Sequence, residues 1–181
     1  MEEQNVRKEL MDEVMSWGKT ILFALAFTLA FNRLIIVNAT VPTGSMESTI
    51  RPNDRIIAFR LSYAFSPPAR YDIVVFPSPD DPSTLNVKRV IGLPGETVNI
   101  IDGLVFINDS TSPLRDDFVY GNIVGNFGPF VVPYDHLFVL GDFRTNSIDS
   151  RSWENTFVSE GSVLGRVVFR YFPGFRILRN T

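Results

Sequence analysis

One serine stands out for its setting. Ser45 lies in Val41–Ile50 (VPTGSMESTI), between Gly44 and Met46, shortly after an apolar segment. Glycine beside a serine lets the backbone turn sharply and lets another chain approach closely. Met46 adds a flexible apolar surface. The setting suits a nucleophile, although Thr-Gly-Ser is also an ordinary turn sequence. A hydroxyl is a poor nucleophile until a base takes its proton. The chain has one histidine, His136, and no cysteine. A thiolate nucleophile, a disulfide and a multi-histidine metal site are therefore excluded, and a Ser-His-Asp triad would have to use His136.

The other candidate base is Lys88, in Asn86–Val98 (NVKRVIGLPGETV). A lysine in water has a pKa of about 10.4 and is protonated at neutral pH. Burial disfavours the ammonium and can lower that value by several units. Lys88 sits among Val87, Val90 and Ile91 in an expected strand, a suitable place for a neutral amine. The same pattern also reads as a half-exposed strand with Lys88 and Arg89 facing solvent, since lysine is mostly exposed. Those residues alone leave both readings open. A Ser-x-x-Lys pattern recurs at Ser16–Lys19, but no Ser-Asp-Asn element or Lys-Thr-Gly supports it, so it reads as coincidence.

The elements that must position these residues follow from hydropathy and punctuation. Residues 1–13 are polar and charged and read as a short cytoplasmic helix or frayed tail. Residues 14–37 are apolar, with Ile21–Phe31 uninterrupted by charge. As a helix they would extend about 36 Å, enough for a hydrocarbon core of about 30 Å. A transmembrane anchor fits best. A cleaved signal peptide, with Val37-Asn38-Ala39 as its cleavage site, and a buried core helix are the competing readings. Arg7, Lys8 and Lys19 precede the segment's apolar core while Arg33 and Arg51 follow, which slightly favours a cytoplasmic N-terminus.

From residue 38 to 181 the texture is that of a β domain. Short apolar runs appear at Arg55–Leu61, Asp72–Phe76, Asn86–Ile91, Thr97–Ile101, Leu104–Ile107, Leu137–Leu140 and Val163–Arg170. Asp102-Gly103 between two of them signals a two-residue hairpin. Residues 109–133 read as a long excursion punctuated by Gly and Pro, whose Phe127–Phe130 could rest on lipid or pack in a core. Asp80-Asp81 and Asp116-Asp117 read as solvated loop carboxylates rather than metal sites. The net charge of −3 gives no basic field for nucleic acid.

A third stretch, Leu140–Trp153 (LGDFRTNSIDSRSW), joins the first two in a recognisable order. Together they resemble type I signal peptidases, the membrane-anchored Ser-Lys proteases that remove signal peptides from secreted proteins. The resemblance runs from about Val14 to about Gly174. It implies an N-terminal transmembrane helix followed by an all-β catalytic domain on the extracytoplasmic face. In the Ser/Thr-Gly-Ser-Met box the serine is the acylating nucleophile, here Ser45. In the Lys-Arg-x-x-Gly-x-Pro-Gly box the lysine is its base, here Lys88. Thr43 matches a position whose hydroxyl can join the Ser45 backbone N–H as an oxyanion donor. In the last box Ser147 matches the serine that orients the lysine, Asp149 and Arg151 match a supporting ion pair, and Asp142 matches an acid of the same surroundings.

The match has departures. Phe143 stands where asparagine is usual, Ser48 where proline is common, and Glu154 where glycine is frequent. The resemblance implies cleavage of preproteins after small residues in an Ala-X-Ala pattern, without metal or cofactor, by a monomer at the lipid bilayer. Val41, Met46 and Val87 adjoin the catalytic pair in sequence and are expected as pocket walls. The substrate would bind extended, by main-chain hydrogen bonds. A soluble Ser-Lys protease is disfavoured by the apolar segment. The rival from another class is a catalytically inactive, membrane-anchored β domain that only binds.

Overall fold

The computed structural model describes residues 2–121 and 125–178. The chain divides into two units, Met1–Ile36 and Val37–Thr181, each described by itself. The first is one helix, α1 (Glu2–Leu34). Within it Leu10–Leu34 is 25 residues long with mean hydropathy 1.6, long and apolar enough to cross a membrane. Its large apolar side chains, such as Leu22, Phe23 and Phe27, are exposed. The helix reaches back through the polar leader and ends three residues before the expected boundary at Val37. There β-branched Ile35, Ile36 and Val37 lead into an extended segment.

The second unit is mainly β. The strands are β1 (Ile36–Thr40), β2 (Arg55–Phe59), β3 (Ile73–Pro77), β4 (Leu85–Gly92), β5 (Thr97–Ile101), β6 (Leu104–Ile107), β7 (Phe127–Val131), β8 (His136–Leu140), β9 (Val158–Ser159), β10 (Gly165–Phe172) and β11 (Arg176–Ile177). A large sheet runs β1-β2-β10-β3-β4-β8-β9, with β11 paired to β10, and a smaller sheet runs β6-β5-β7. The β5–β6 hairpin turns at Asp102-Gly103, with φ of 50° and 82°, as a two-residue primed turn requires.

The strand β4 lies inside the large sheet, antiparallel to both β3 and β8. Alternation places Lys88 and Val90 on one face and Val87, Arg89 and Ile91 on the other. The first face joins a cluster of Val74, Phe76, Val90, Val139 and Trp153. The opposite face joins two further clusters, one holding Val75 with Val87 packed on it, the other holding Ile91 and Phe138. With both faces covered, the solvent-facing reading of Lys88 and Arg89 is overturned: they are 3% and 1% exposed.

Four strands lay outside the expected set: β1, β7, β9 and β11. Of these β7 matters most, because it falls inside the supposed excursion. It pairs with β5, and Phe130 packs against Phe138 at 4.8 Å between ring centroids. Phe130 therefore belongs to a core, while Phe127 stays partly exposed.

The cluster beneath Lys88 depends on Phe76, fully buried and edge-on to Trp153 at 6.0 Å. Phe76→Ala is expected to destabilise the domain by about 3–5 kcal/mol. Phe65→Ala, at a residue 99% exposed, should change stability by less than about 0.5 kcal/mol. Chemical unfolding of the detergent-solubilised chain measures both.

Candidate active site

The nucleophile candidate sits on a turn that the core holds down. The turn closes through Glu47 N–H to Gly44 O at 2.9 Å and Ile50 N–H to Met46 O at 2.8 Å. Met46 and Ile50 are fully buried in the cluster with Ile56 and Val75. Ser45 is thereby fixed from the residue next to it. Its carbonyl accepts the Phe143 N–H at 3.0 Å, which ties the turn to the loop after β8. Ser48 has φ of 89°, in the left-handed region that proline cannot enter. Proline is thus excluded by this backbone, and the Ser48 hydroxyl donates to Phe118 O at 2.7 Å.

Lys88 projects from β4 toward the same region. Its Nζ donates to Ser147 Oγ at 3.0 Å. Burial pushes its pKa down to about 8, with the Arg151 charge assisting and the Asp149 and Asp142 charges opposing. The amine is therefore available as a base near neutral pH, which an ordinary lysine is not.

A cavity of about 500 Å³ brings these groups together. Thr43, Ser45, Lys88 and Ser147 all line it, with Gly44 and Asn146 between them. Ser78, Asp81, Thr84, Asn86, Thr145, Ile148 and Trp153 complete the wall. Thr43 Oγ1 lies 3.5 Å from Ser45 Oγ. The expected pocket residues are placed elsewhere. Val41 is 3% exposed and Met46 fully buried in the core, with Val87 packed against the same cluster. None of the three lines the cavity. Alternation along β4 turns Val87 to the face opposite Lys88, and on the Ser45 turn Val41 and Met46 are taken up by the core cluster beneath it.

Two buried ion pairs frame the site. Asp149 takes a two-pronged contact from Arg151, Nε to Oδ1 and Nη2 to Oδ2, each 2.8 Å, and accepts the Gly141 N–H at 3.0 Å. Burial pushes the Asp149 carboxyl up, but Arg151 and these hydrogen bonds outweigh it and hold it below the usual range. Asp142 takes a similar contact from Arg89 at 2.8 and 2.7 Å, with both side chains 1% exposed. Thr49, on the Ser45 turn, donates to Asp142 Oδ2 at 2.5 Å. The Arg89 guanidinium also lies 4.0 Å over the Phe118 ring.

Sequence reasoning missed Arg89, Thr49, Gly141 and Arg144. Arg89 links β4 to the loop carrying Ser147 and, through Thr49, to the turn carrying Ser45. Arg144 is buried and bridges Gly141 O and Asp116. Gly141 is needed because its α-carbon lies against both site segments: a Cβ there would meet Ser147 Oγ at 2.2 Å and Ser45 O at 2.5 Å. For Arg89 the sequence offered no clear signal, because Lys88-Arg89 interrupts the apolar run Val87–Ile91 and reads as the exposed part of a strand. Of the departures, Phe143 packs edge-on against Tyr120 at 4.9 Å, and Glu154 offers its N–H to Asp80. Asp81 caps its own loop and Asp116 and Asp117 pair with arginines. Among the described residues no group of His, Asp and Glu converges as a metal site would.

A family model described as signal peptidase, peptidase S26, matches residues 14–172. Signal peptidase I of Leptolyngbya laminosa is 39% identical over 172 residues, covering 91% of this chain and 82% of that one. Probable signal peptidase I-2 of Synechocystis sp. is 35% identical over 165 residues, covering 88% and 74%. The crystal structure of a signal peptidase I from Enterococcus faecalis V583 is 37% identical, covers 55% of this chain and 95% of that one, and superposes with a TM-score of 0.47.

Two stability effects follow, of opposite sign. Arg89→Met leaves Asp142 buried and uncompensated, an expected loss of about 3–5 kcal/mol. Lys88→Met removes a cost. Folding lowers the Lys88 pKa to about 8, so the unfolded chain binds more protons between that value and about 10.4. Wild-type stability should rise with pH through this window. At neutral pH Lys88→Met should be more stable by up to about 3 kcal/mol, with the gap closing above about pH 10. Unfolding curves collected from pH 7 to 10.5 check both.

Proposed function

The chain belongs to the signal peptidase family, peptidase S26, and from that premise we propose that it is a membrane-anchored serine endopeptidase working through a Ser45–Lys88 dyad. It is a serine hydrolase that cleaves signal peptides from secreted preproteins. The proposal adds the residues, the specificity and the topology. Cleavage follows small residues of the Ala-X-Ala type. Leu10–Leu34 is the anchor, the N-terminus is cytoplasmic, and the β domain lies outside.

The observation that carries the dyad is the state of Lys88: buried, bonded to Ser147, pKa about 8, and lining one cavity with Ser45. Lys88 Nζ takes the Ser45 hydroxyl proton as Oγ attacks the scissile carbonyl carbon. The oxygen that gains charge is met by the Ser45 N–H and the Thr43 hydroxyl. The tetrahedral adduct collapses, the C–N bond breaks, and the Lys88 ammonium returns its proton to the departing amine. Water, deprotonated by Lys88, then attacks the acyl carbon, the C–Oγ bond breaks, and the Lys88 ammonium returns its proton to Ser45 Oγ. Ser147 holds the amine between transfers, and the Asp149–Arg151 and Asp142–Arg89 pairs hold Ser147 and β4. Confinement to the bilayer raises the encounter rate with a substrate that is itself membrane-tethered.

Detergent-solubilised wild type is expected to cut a preprotein once, after its Ala-X-Ala site. Ser45→Ala and Lys88→Ala should each lower kcat/KM by at least about a thousandfold. The wild-type rate should rise with pH around an apparent pKa of about 8, as the base form of Lys88 accumulates. Cleavage retained in Lys88→Ala would defeat the dyad. A folded wild type that cuts nothing would favour a binding module.

A further inference from the structure

We propose that Asp81 selects substrates by charge, favouring a basic and disfavouring an acidic side chain about four residues from the scissile bond. The inference rests on the peptidase reading of the cavity. Among the described residues lining that cavity, Asp81 is the one acidic side chain. The only basic one is Lys88, which is 3% exposed at the floor and bonded there to Ser147, out of reach of a side chain passing the rim. The rest of the wall is uncharged, including Ser78, Thr84, Asn86 and Trp153. An extended peptide lying in this cleft therefore meets a single fixed negative charge.

That charge is held in place. Asp81 Oδ1 accepts the Ser83 N–H at 3.1 Å and the Ser83 hydroxyl at 2.6 Å, and Oδ2 accepts the Thr84 hydroxyl at 2.7 Å. The loop is closed by Ser78 N–H to Thr84 O at 2.8 Å and Thr84 N–H to Asp81 O at 3.0 Å. These bonds keep the carboxylate ionised, below its usual pKa. Asp81 stays exposed to a passing side chain, and none of these bonds comes from a cation that would neutralise it. The neighbouring Asp80 is occupied with the Glu154 and Asn155 N–H groups, so the two acids do different things.

The distance follows from the strand. Asn86 and Lys88 share a face of β4, and Thr84 directly precedes that strand. Four extended residues separate Thr84 from Lys88, about 13 Å at roughly 3.3 Å per residue. A substrate running beside β4 covers the same distance in about four of its own residues. The Asp81 loop therefore meets a side chain three to five positions from the bond, on whichever side of it the chain passes the loop.

The test uses full-length enzyme in detergent and preproteins with one Ala-X-Ala site. Lys, Gln or Glu is placed singly at three, four and five residues on each side of the bond. For wild type, kcat/KM is expected to be about threefold to tenfold higher for Lys than for Glu at one of these positions, a size set by an exposed ion pair. The ratio should shrink in high salt. Asp81→Asn should bring it to about one, and Asp81→Lys should invert it. Ser83→Ala, which loosens the loop but keeps the charge, should preserve it. A ratio near one in wild type at every position, or one retained in Asp81→Asn, overturns the inference and leaves the peptidase reading standing. A wild type that cuts none of the substrates defeats that reading and the inference with it.

Discussion

An ammonium group taken out of water is strongly disfavoured, and the role proposed for Lys88 depends on that penalty. Lys88 is 3% exposed on a strand flanked by two others and covered on both faces. Pairing with β3 closes one edge of the strand at Lys88, and the Val74–Phe76–Trp153 cluster dries the face that the amine shares. Desolvation alone is not enough, because two carboxylates act on the amine and would restore its charge. Each is matched to its own guanidinium, Asp149 to Arg151 and Asp142 to Arg89. The acids thus organise the site while most of their field is cancelled locally. What remains around Lys88 is a polar but nearly neutral shell, and the balance comes to rest near pH 8.

The same pairs solve a geometric problem. Ser45, Lys88 and Ser147 come from segments far apart in sequence, and a proton cannot pass between groups that drift by an ångström. Gly141 brings two of these segments into direct contact, since it leaves no room for a side chain between Ser147 and the Ser45 carbonyl. Arg89 adds the third, reaching from β4 to Asp142, to which Thr49 of the Ser45 turn also bonds. Buried ion pairs add little net stability compared with apolar packing. Their use here is to fix register among three chain segments, which apolar contacts specify less tightly.

Local signals carried far in this sequence. The apolar run of α1, the Asp102-Gly103 turn and the valine-rich β4 each read directly, because helix length, hairpin turns and strand burial leave marks in adjacent residues. The three boxes contain Thr43, Ser45, Lys88 and Ser147, which line one cavity, but not Ser78, Asp81 or Thr84 of its wall. Errors arose where the answer was set by distant partners. Gly128-Pro129 looked like loop punctuation, yet β7 forms because β5 offers it a free edge. Val41 and Met46 looked like pocket walls because they neighbour Ser45, yet adjacent side chains diverge, and these two anchor the turn from below. Arg89 was ambiguous because alternation vanishes when both faces of a strand are covered. Ser48 appeared to be a loss, since its left-handed backbone is invisible in sequence.

The cleft that results has a dry floor and a wet rim, and the two are tuned by opposite means. At the floor burial disfavours the charge, so Lys88 gives up its proton near pH 8 and can then act as a base. At the rim a charge is kept by hydrogen bonds, so Asp81 remains an anion in contact with solvent. Neither arrangement would work in the other place. A carboxylate at the floor, without its own arginine, would recharge the lysine and silence it. A lysine at the rim would keep its ordinary pKa and serve only as a charge. The β3–β4 connection places one on each side of a few extended residues, so that the proposed base and the proposed charge selector share one cleft.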